Sequence, residues 1–389
     1  MNKKKKLYLV MSNTPWDWSG DYTRQTCLQL STRGRVFCFV RCNTLSIKEY
    51  FLAKERKPII FFPKKNILVF TPLDWIPFKR FSLVSKMNYY LNLGFFHLLT
   101  YLDFRLINRG KIIWIFHPMF ADVMSFIPFR NSKIVFDLVD NFVGEARGEQ
   151  EEKFTKMQQK LTVKADVVVA NSHYLYDQLK KFSKVVTLVP QGFDAKAFEG
   201  NCSMSKASKK KRPVLGYVGG INNRLDFELI KHLVVNHPEW EFWFYGPIQN
   251  LDNKNRLGNW EFLKKQGNFK TGLCSRKELG SIIDKFDVGL IPYSLMSDFE
   301  RYCHPMKVLE YIYFGVPTVS SAIYELTFPE YKYFVEIAHS VEDWENMIDL
   351  YLRSRWDKSL KARQRKYALS QSWEIKVNTI INKIDAISR

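Results

Sequence analysis

The sequence lacks the cysteine patterns of a zinc site or of a disulfide framework. Its six cysteines include no C-x-x-C pair and show no spacing typical of zinc ligands. Scattered cysteines of this kind are typical of a chain kept reduced in the cytosol. We therefore predict a cytoplasmic protein without disulfide bonds.

The sequence also lacks a long apolar run. A membrane-spanning helix needs roughly 20 consecutive apolar residues, and no stretch reaches that length. The nearest, residues 88–107, is interrupted by Asn92, His97, Asp103 and Arg105. This stretch predicts an amphipathic helix and not a membrane span.

Acidic residues are few relative to basic ones. The chain has 39 Asp and Glu against 59 Lys and Arg, a formal net charge of +20 over 389 residues. With 46% hydrophobic residues, it is long enough for two or three globular domains. The positive excess predicts an anionic partner, either nucleotide phosphates, nucleic acid or an anionic membrane face. We expect no nucleic acid, because no recognition motif accompanies the basic runs at residues 3–6 and 209–212.

Short apolar runs alternate with longer helical patterns, which is typical of parallel α/β sheets. The predicted strands are residues 7–11, 36–40, 67–70, 112–116, 134–136, 167–170, 185–189, 214–218, 241–245, 288–291 and 318–320. The polar and basic residues 201–213 predict a linker. Two doubly wound domains follow, residues 1–200 and 214–370. Ligands of such sheets bind beyond the carboxyl ends of the strands, so a shared ligand would lie in a cleft between the domains.

A glycine-rich turn opens the second predicted domain. Gly219 and Gly220 end a strand, and a helix begins near Asp226. Glycines at such a turn let backbone N–H groups approach a diphosphate, and the helix N-terminus favours negative charge. Arg224 would add a charge-assisted bond to a phosphate. An ordinary tight turn explains the same glycines equally well.

A second segment, residues 301–319, predicts a helix from Pro305 to Gly315. Proline suits the first turn of a helix, and glycine is a common stop signal. Lys307 and Glu310 lie three residues apart, so their side chains fall on one face. As a surface ion pair they would contribute well under about 1 kcal/mol. Alternatively, Lys307 belongs to an anion site and Glu310 accepts ribose hydroxyls, and the pattern does not decide between the two.

Segments in both halves of the chain resemble GT-B glycosyltransferases, family 4 in particular. The segment PMKVLEYIYFGVPTVSS (305–321) is similar to the family pattern P-x-K-x-x-E-x-x-x-x-G-x-P-V-V. Further similar segments are VVVANSHYLYDQL (167–179), VPQGFDAKAF (189–198), GYVGGINNRLDFELI (216–230), TGLCSRKELGSIIDKFDVGLIPY (271–293) and SWEIKVNTIINKI (372–384). The resemblance implies a GT-B fold of two Rossmann-like, doubly wound parallel-sheet domains facing each other across a cleft. It also implies that the final helix, residues 371–389, crosses back to the N-terminal, acceptor-side domain.

The resemblance assigns donor-binding roles in the second domain. Glu310 would bind the ribose hydroxyls and Lys307 the diphosphate. Gly219 and Gly220 would lie against the phosphates, and Arg224 would stand near the family's basic phosphate ligand. Gly20 of the first domain would also bind the donor, and the catalytic residues would be His117, Arg224 and Lys307.

The first domain matches the family more loosely. His117 ends a strand where the family often has a histidine facing the transferred sugar, although a structural strand-end histidine is an open alternative. Gly20 resembles the family's first-domain glycine loop. Side chains that would then face the cleft are Trp16, Asp17, Trp18, Arg24, Asp137 and Asp140. Of these we consider Trp16, Trp18, Arg24 and Asp140, together with Tyr302 of the second domain, as acceptor or cleft residues. Capping of a helix is an equally good interpretation of Asp140.

The sequence departs from the family at two charged positions. Tyr302 occupies the place of the family's first glutamate, which contacts the sugar, and Asp298 or Glu300 would have to substitute at the wrong spacing. Gly220 occupies the place of the phosphate arginine. A similar glycine turn followed by D-F-E-L, without the first glutamate, occurs in bacterial teichuronic-acid-type transferases, which this chain resembles most.

The resemblance implies a retaining hexosyltransferase that works without a metal, which agrees with the lack of a D-x-D motif at a strand end. The co-substrate would be a nucleotide-diphosphate sugar of the UDP or GDP type, with no other cofactor. The product would belong to a capsule or another bacterial cell-surface polysaccharide. Two alternatives stay open, a non-catalytic GT-B accessory protein and a nucleotide-sugar epimerase of the same fold.

The acceptor is expected to be a saccharide, or a lipid-linked saccharide at the inner face of the plasma membrane. Residues 78–109 combine many aromatic side chains with basic ones, namely Lys79, Arg80, Lys86, Arg105 and Arg109. Such a stretch is typical of a segment that lies on an anionic membrane, to which the protein would be peripheral. A core-packing amphipathic helix with basic edges is the alternative.

Overall fold

A computed structural model describes residues 6–17, 22–42, 44–101, 110–123, 132–199, 212–249, 251, 253–354 and 358–387. The chain divides into two compact units, Met1–Pro190 with Trp373–Arg389, and Gln191–Ser372. The first unit therefore ends earlier than residue 200. The reason is that Phe193 and Phe198 stack on each other at 5.8 Å and pack against Tyr313 of the second unit.

The first unit contains an eight-stranded sheet with the order β3-β4-β2-β1-β5-β6-β7-β8. Neighbouring strands are parallel, except that β3 is antiparallel to β4. The strands are β1 (Lys6–Ser12), β2 (Gly34–Val40), β3 (Ile60–Lys64), β4 (Ile67–Phe70), β5 (Lys111–Ile115), β6 (Ser132–Leu138), β7 (Val167–Ala170) and β8 (Val186–Leu188).

The described helices of the first unit connect these strands, and the last returns from the end of the chain. They are α1 (Tyr22–Ser31), α2 (Ile47–Leu52), α3 (Ser82–Tyr101), α4 (Phe142–Glu145), α5 (Glu149–Lys164), α6 (His173–Lys180) and α14 (Trp373–Ile387). A short 3₁₀ turn, Pro118–Phe120, follows β5.

The second unit contains a six-stranded, wholly parallel sheet with the order β11-β10-β9-β12-β13-β14. This is the strand order of a doubly wound nucleotide-binding fold. The strands are β9 (Val214–Val218), β10 (Glu241–Tyr245), β11 (Phe269–Gly272), β12 (Val288–Ile291), β13 (Thr318–Ser321) and β14 (Val335–Ala338). The helices are α7 (Phe227–Asn236), α8 (Lys254–Leu263), α9 (Arg276–Ile283), α10 (Asp298–Arg301), α11 (Lys307–Phe314), α12 (Val341–Arg353) and α13 (Lys358–Ser370).

Every predicted strand coincides with an observed one. Strands β4, β7, β9 and β12 are buried along their whole length, which explains their uninterrupted apolar sequences. Three strands escaped prediction. Strand β3 is a largely exposed edge containing Pro63, β11 has one fully buried residue, and β14 is a four-residue edge strand.

The final helix α14 is tied to the first sheet by a buried ion pair. Lys376 Nζ lies 3.3 Å from Asp137 Oδ1, and Trp114 Nε1 donates to Asp137 Oδ2 at 3.1 Å. Burial raises the pKa of Asp137, while Lys376 and Trp114 act in the opposite direction. Asp137 is fully enclosed and holds this helix, so the expectation that it lines a ligand site was wrong.

Candidate functional site

The second sheet has a topological switch point between β9 and β12. These strands are neighbours, and the chain continues from β9 toward one edge of the sheet and from β12 toward the other. A crevice forms at such a point beyond the carboxyl ends of the strands, where ligands of this fold class bind. Tyr217 and Gly219 lie at the end of β9, and Tyr293 lies just beyond β12.

Lys307 brings its ammonium group to this point. From the first turn of α11, Nζ donates to the hydroxyl oxygens of Tyr293 at 2.6 Å and Tyr217 at 3.2 Å. It also lies 4.7 Å and 4.5 Å from the centres of the same two rings. Burial alone would lower the pKa of Lys307, but the surrounding tyrosines outweigh burial and raise it. The lysine is therefore held as a cation at the switch point.

Gly219 lies directly against this ammonium group. Its φ is +134°, a conformation that side chains rarely adopt, and its N–H donates to the Tyr245 carbonyl at 3.0 Å. A Cβ atom here would stand 3.1 Å from Lys307 Cε and 3.2 Å from Nζ. The neighbouring Gly220 carbonyl accepts a bond of 3.0 Å from the Tyr217 hydroxyl. Gly219 thus contacts the cation directly, and Gly220 binds the tyrosine that contacts it.

Arg224 is the second cation of the region. Its guanidinium carbon lies 4.2 Å from the centre of the Phe299 ring, and its carbonyl accepts from Ser294 N at 2.8 Å. Burial raises the pKa of Tyr217 to about 12, and the charges of Lys307 and Arg224 act in the opposite direction. Two cations therefore act on one tyrosine hydroxyl at the end of β9.

Glu310 is paired with an arginine and not with Lys307. Its Oε1 accepts from Arg276 Nη1 at 2.5 Å, and the residue is only 7% exposed. Arg276 opens α9 and also lies over the Phe198 ring at 4.8 Å. The surface ion pair that sequence spacing allowed between Lys307 and Glu310 is therefore excluded, because each has a different partner.

Helix α11 begins at Lys307 and not at Pro305. The carbonyls of Pro305 and Met306 accept from the N–H groups three residues later, at 3.1 and 3.2 Å, so a tighter turn precedes the helix. The helix ends as predicted at Gly315, which is left-handed with a φ of +67°. This places Lys307, not the proline, at the helix N-terminus.

Tyr302 ends α10 and packs edge-on against Tyr324, with ring centres 5.7 Å apart. The neighbouring Glu300 caps α10, since its Oε2 accepts from Ser297 N at 2.8 Å. Asp298 lies in the first turn of the same helix. Glu300 is thus committed to a capping box and is a poor substitute for the glutamate that Tyr302 replaces.

His117 in the first unit is buried and neutral. Its Nδ1 accepts from Met119 N at 3.0 Å, and its ring lies 4.2 Å from Phe142 and 5.1 Å from Phe154. Burial lowers the pKa of His117 to about 4. Because Nδ1 accepts, Nε2 carries the proton, and His117 is a neutral hydrogen-bond donor that also caps the Pro118–Phe120 turn.

The other first-unit residues occupy different environments. Trp16 is buried and packs edge-on against Phe61 at 6.3 Å, whereas Asp17 pairs with Lys57 at 3.0 Å on the surface. Arg24 is exposed on α1. Trp18 and Gly20 lie outside the described residues.

Asp140 does not cap a helix, because Asn141 is the residue that caps α4. Asn141 accepts from Gly144 N at 3.1 Å. Asp140 instead accepts from Asn141 N at 2.9 Å.

Three site residues were missed from the sequence, namely Tyr217, Tyr293 and Arg276. Tyr217 and Tyr293 are close to strand ends, which is the one signal that would have suggested them. Their meeting at Lys307 depends on the strand order, which brings β9 beside β12. Arg276 follows a capping serine and looked like an ordinary first-turn residue.

The described ranges contain neither a metal-ligand cluster nor a membrane-spanning helix. No group of three or more His, Cys, Asp or Glu there could hold a metal ion. Within the same ranges, every helix is too short or too polar to cross a membrane.

Comparison with known proteins identifies the fold. No family model matches the chain. A putative teichuronic acid biosynthesis glycosyltransferase, TuaH, of Bacillus subtilis (strain 168) is 26% identical over 220 residues, which are 54% of this chain and 54% of that protein. The chain thus matches about half the length of this curated relative, and its resemblance to teichuronic-acid-type transferases is confirmed to that extent.

Solved structures match nearly the whole chain. Sucrose-phosphate synthase from Thermosynechococcus elongatus aligns with a TM-score of 0.71 at 14% identity, over 99% of both chains. Anabaena Alr3699/HepE in complex with UDP-glucose aligns with a TM-score of 0.65 at 12% identity, over 98% of this chain and 99% of the other. At such identities the similarity establishes the fold, which is GT-B as predicted.

Proposed function

We propose that this chain is a glycosyltransferase that moves a sugar from a nucleotide-diphosphate sugar to a saccharide acceptor. The observation that carries the proposal is the Lys307 ammonium group, 2.6 Å from the Tyr293 hydroxyl and packed against Gly219, at the switch point of a nucleotide-binding sheet. The relative from Bacillus subtilis, named as a putative glycosyltransferase, supports the same reaction class.

The cations would act on the leaving group. The glycosidic bond to the β-phosphate oxygen breaks, and negative charge develops on the nucleoside diphosphate. Lys307 and Arg224 would stabilise that charge, with the N-terminus of α11 adding its dipole. We propose same-face attack, in which the acceptor oxygen bonds to the anomeric carbon and its proton passes to the leaving phosphate. The reaction would then retain configuration and need no protein nucleophile and no metal.

Glu310 would orient the ribose of the donor. A carboxylate accepts two hydroxyl donors at once, and Arg276 fixes one of its oxygens at 2.5 Å. Because Glu310 is nearly enclosed, its orientation is set by α9 and α11 before the donor arrives. His117 would supply a neutral N–H donor to the transferred sugar, consistent with its lowered pKa.

We further propose that the acceptor is lipid-linked and that the reaction serves a bacterial cell-surface polysaccharide such as a capsule. The protein would act in the cytoplasm, as a peripheral protein on the inner face of the membrane. The excess positive charge supports this placement.

A non-catalytic accessory protein is a second candidate, favoured by Tyr302 at the position of the missing glutamate. Transfer assays separate the two. Radiolabelled UDP- and GDP-sugars are incubated with the protein and a membrane lipid extract, and lipid-soluble label and donor hydrolysis are both measured. We expect label transfer or donor hydrolysis with at least one donor. UDP and GDP binding is measured in parallel by calorimetry. Nucleotide binding without either reaction would support the accessory protein, and absence of nucleotide binding would refute the glycosyltransferase.

A further inference from the structure

Helix α3 carries apolar side chains on its exposed face, where an ordinary surface helix is polar. Its buried face includes two asparagines, Asn88 and Asn92, whereas its exposed face is apolar. The exposed side chains recur every three or four residues and therefore form one stripe along the helix: Leu83, Met87, Tyr90, Leu91, Phe95, Leu98 and Tyr101. We call these residues the α3 stripe.

The inward asparagines bind backbone groups of the loop before α3. Asn88 accepts from Ile76 N at 2.8 Å and donates to the Ile76 carbonyl at 2.9 Å. Asn92 donates to the Leu73 carbonyl at 2.8 Å and accepts from Trp75 Nε1 at 2.9 Å. These bonds fix the orientation of α3, so the α3 stripe faces outward as part of the folded unit.

The loop itself adds large aromatic side chains to this surface. Trp75, Phe78 and Phe81 are all exposed. Phe78 has a φ of +67°, a conformation that costs energy for any residue but glycine and that suggests a functional constraint. Lys79 of this loop pairs with Glu49 at 3.3 Å, so α2 with its exposed Phe51 lies beside it.

Exposed apolar side chains are concentrated here rather than spread over the molecule. Fifteen of the 31 exposed large apolar residues in the described ranges fall between Leu45 and Tyr101. Scattered single residues would need no explanation, whereas exposed apolar side chains that cluster on one helix face and its neighbouring loop are typical of an interaction surface.

The charges of the segment select the kind of partner. Between Trp75 and Tyr101 the sequence contains no Asp or Glu, and its basic residues include Arg80 and Lys86, both exposed. An apolar stripe with tryptophan, tyrosine and basic residues is the composition of segments that lie in the interface of an anionic bilayer. A second copy of this chain would bring another net charge of +20 and be repelled.

We propose that the α3 stripe, with Trp75, Phe78 and Phe81, inserts into the interface of an anionic lipid bilayer. This inference rests on the proposed function, because contact with the bilayer would bring a lipid-linked acceptor to the enzyme. The partner of the α3 stripe is therefore a bilayer surface and not a groove on another protein. Burial of the apolar side chains in the bilayer interface would provide most of the binding free energy. Arg80 and Lys86 would make binding to anionic lipid stronger than binding to neutral lipid.

The test uses full-length protein and vesicles that contain either phosphatidylcholine alone or a mixture with phosphatidylglycerol, separated by flotation. The face variant is Leu91→Glu with Phe95→Glu, at residues that are 50% and 39% exposed. The matched control is Leu257→Glu with Phe262→Glu on α8, at 42% and 38% exposure. Both variants change the same residue types and the same net charge, so only the location differs.

We expect wild-type protein and the α8 control to float with anionic vesicles, and the face variant to bind at least tenfold more weakly. Arg80→Gln with Lys86→Gln should weaken binding to anionic vesicles several-fold and leave the weaker binding to phosphatidylcholine unchanged. Equal losses in the face variant and the control, or no flotation of the wild type, would overturn the proposal.

Three further measurements on the face variant keep this test separate from the proposed function. Nucleotide binding by calorimetry should remain at the wild-type level, and an unchanged thermal unfolding curve shows that the unit containing α3 is folded. Light scattering after size exclusion reports its mass. A wild-type dimer that the face variant abolishes would identify the stripe as a self-interface and refute the bilayer.

Discussion

Helices α11 and α3 both direct polar side chains inward, but toward different partners. In α11, every residue from Val308 to Phe314 is buried, and Lys307 and Glu310 meet tyrosine hydroxyls and an arginine. In α3, Asn88 and Asn92 bind backbone groups of the preceding loop, and the apolar side chains of the α3 stripe are left exposed. In α11 the inward charges lie at the switch point of the second sheet, where a ligand can reach them, whereas in α3 the inward amides fix the helix and leave its apolar stripe exposed.

The largest effect is expected from removing the charge of α11. Lys307→Met should lower kcat/KM about a thousandfold, or about 4 kcal/mol of transition-state stabilisation, because the cation faces the developing phosphate charge. Initial rates of donor turnover measure this effect. Lys254→Met, an exposed lysine on α8, is the control and should match the wild type. A loss below tenfold in Lys307→Met would contradict the assigned role.

Glu310 should matter for binding and specifically for ribose. Glu310→Ala is expected to weaken UDP or GDP binding roughly 10- to 100-fold, since a charge-assisted hydrogen bond is worth about 1.5–3 kcal/mol. Calorimetry with the matching 2′,3′-dideoxynucleotide sharpens the test. Wild-type protein should prefer the natural nucleotide, and the variant should not. Glu278→Ala, a capping glutamate on α9, is the control, and a preference retained by Glu310→Ala would exclude the ribose role.

On α3, the buried side-chain amide of Asn92 should contribute to the free energy of unfolding, whereas the exposed α3 stripe should not. Asn92→Ala leaves the Leu73 carbonyl and Trp75 Nε1 without their bonds, which should cost about 2 kcal/mol of unfolding free energy. Leu98→Ala, at 53% exposure, should change it by less than about 0.5 kcal/mol. Urea unfolding of both variants tests the contrast, which fails if Leu98→Ala is the more destabilising.

The smallest effect is expected from Tyr293→Phe, which removes the shortest bond to Lys307 while keeping the ring. The tyrosines raise the pKa of Lys307, so this variant should lower it. Lys307 should nevertheless stay charged at neutral pH, so we expect a loss of activity of only a few-fold there. Initial rates of donor turnover measure the effect, and a loss as large as that of Lys307→Met would contradict this account.

The sequence predicted the sheets better than the site. Strands such as β7 and β12 are buried on both faces, and their apolar sequences show this directly. Strand β11 and strand β14 are short and partly exposed, so they carry little signal. Lys307 and Gly219 were selected from local patterns and family resemblance. Their contact with each other, and the tyrosines around them, depend on a strand order that no local pattern contains.

The sequence left the orientation of α3 open for a different reason. An apolar stripe normally faces the core, and the sequence of α3 allows either orientation. The choice follows from tertiary hydrogen bonds, because Asn88 and Asn92 are drawn inward by the backbone of residues 73–76. For residues 82–101 the core-packing alternative was therefore only partly right. Tyr89, Leu93 and Phe96 pack inward, but the α3 stripe does not.

The central claim is that the switch point of the second unit binds a nucleoside diphosphate through Lys307. Calorimetric titration of UDP and GDP into wild-type protein, Lys307→Met and Lys254→Met tests it most directly. We predict saturable binding of at least one nucleotide by the wild type and Lys254→Met, and binding at least tenfold weaker by Lys307→Met. Equal affinity in all three proteins, or no binding by the wild type, would contradict the claim.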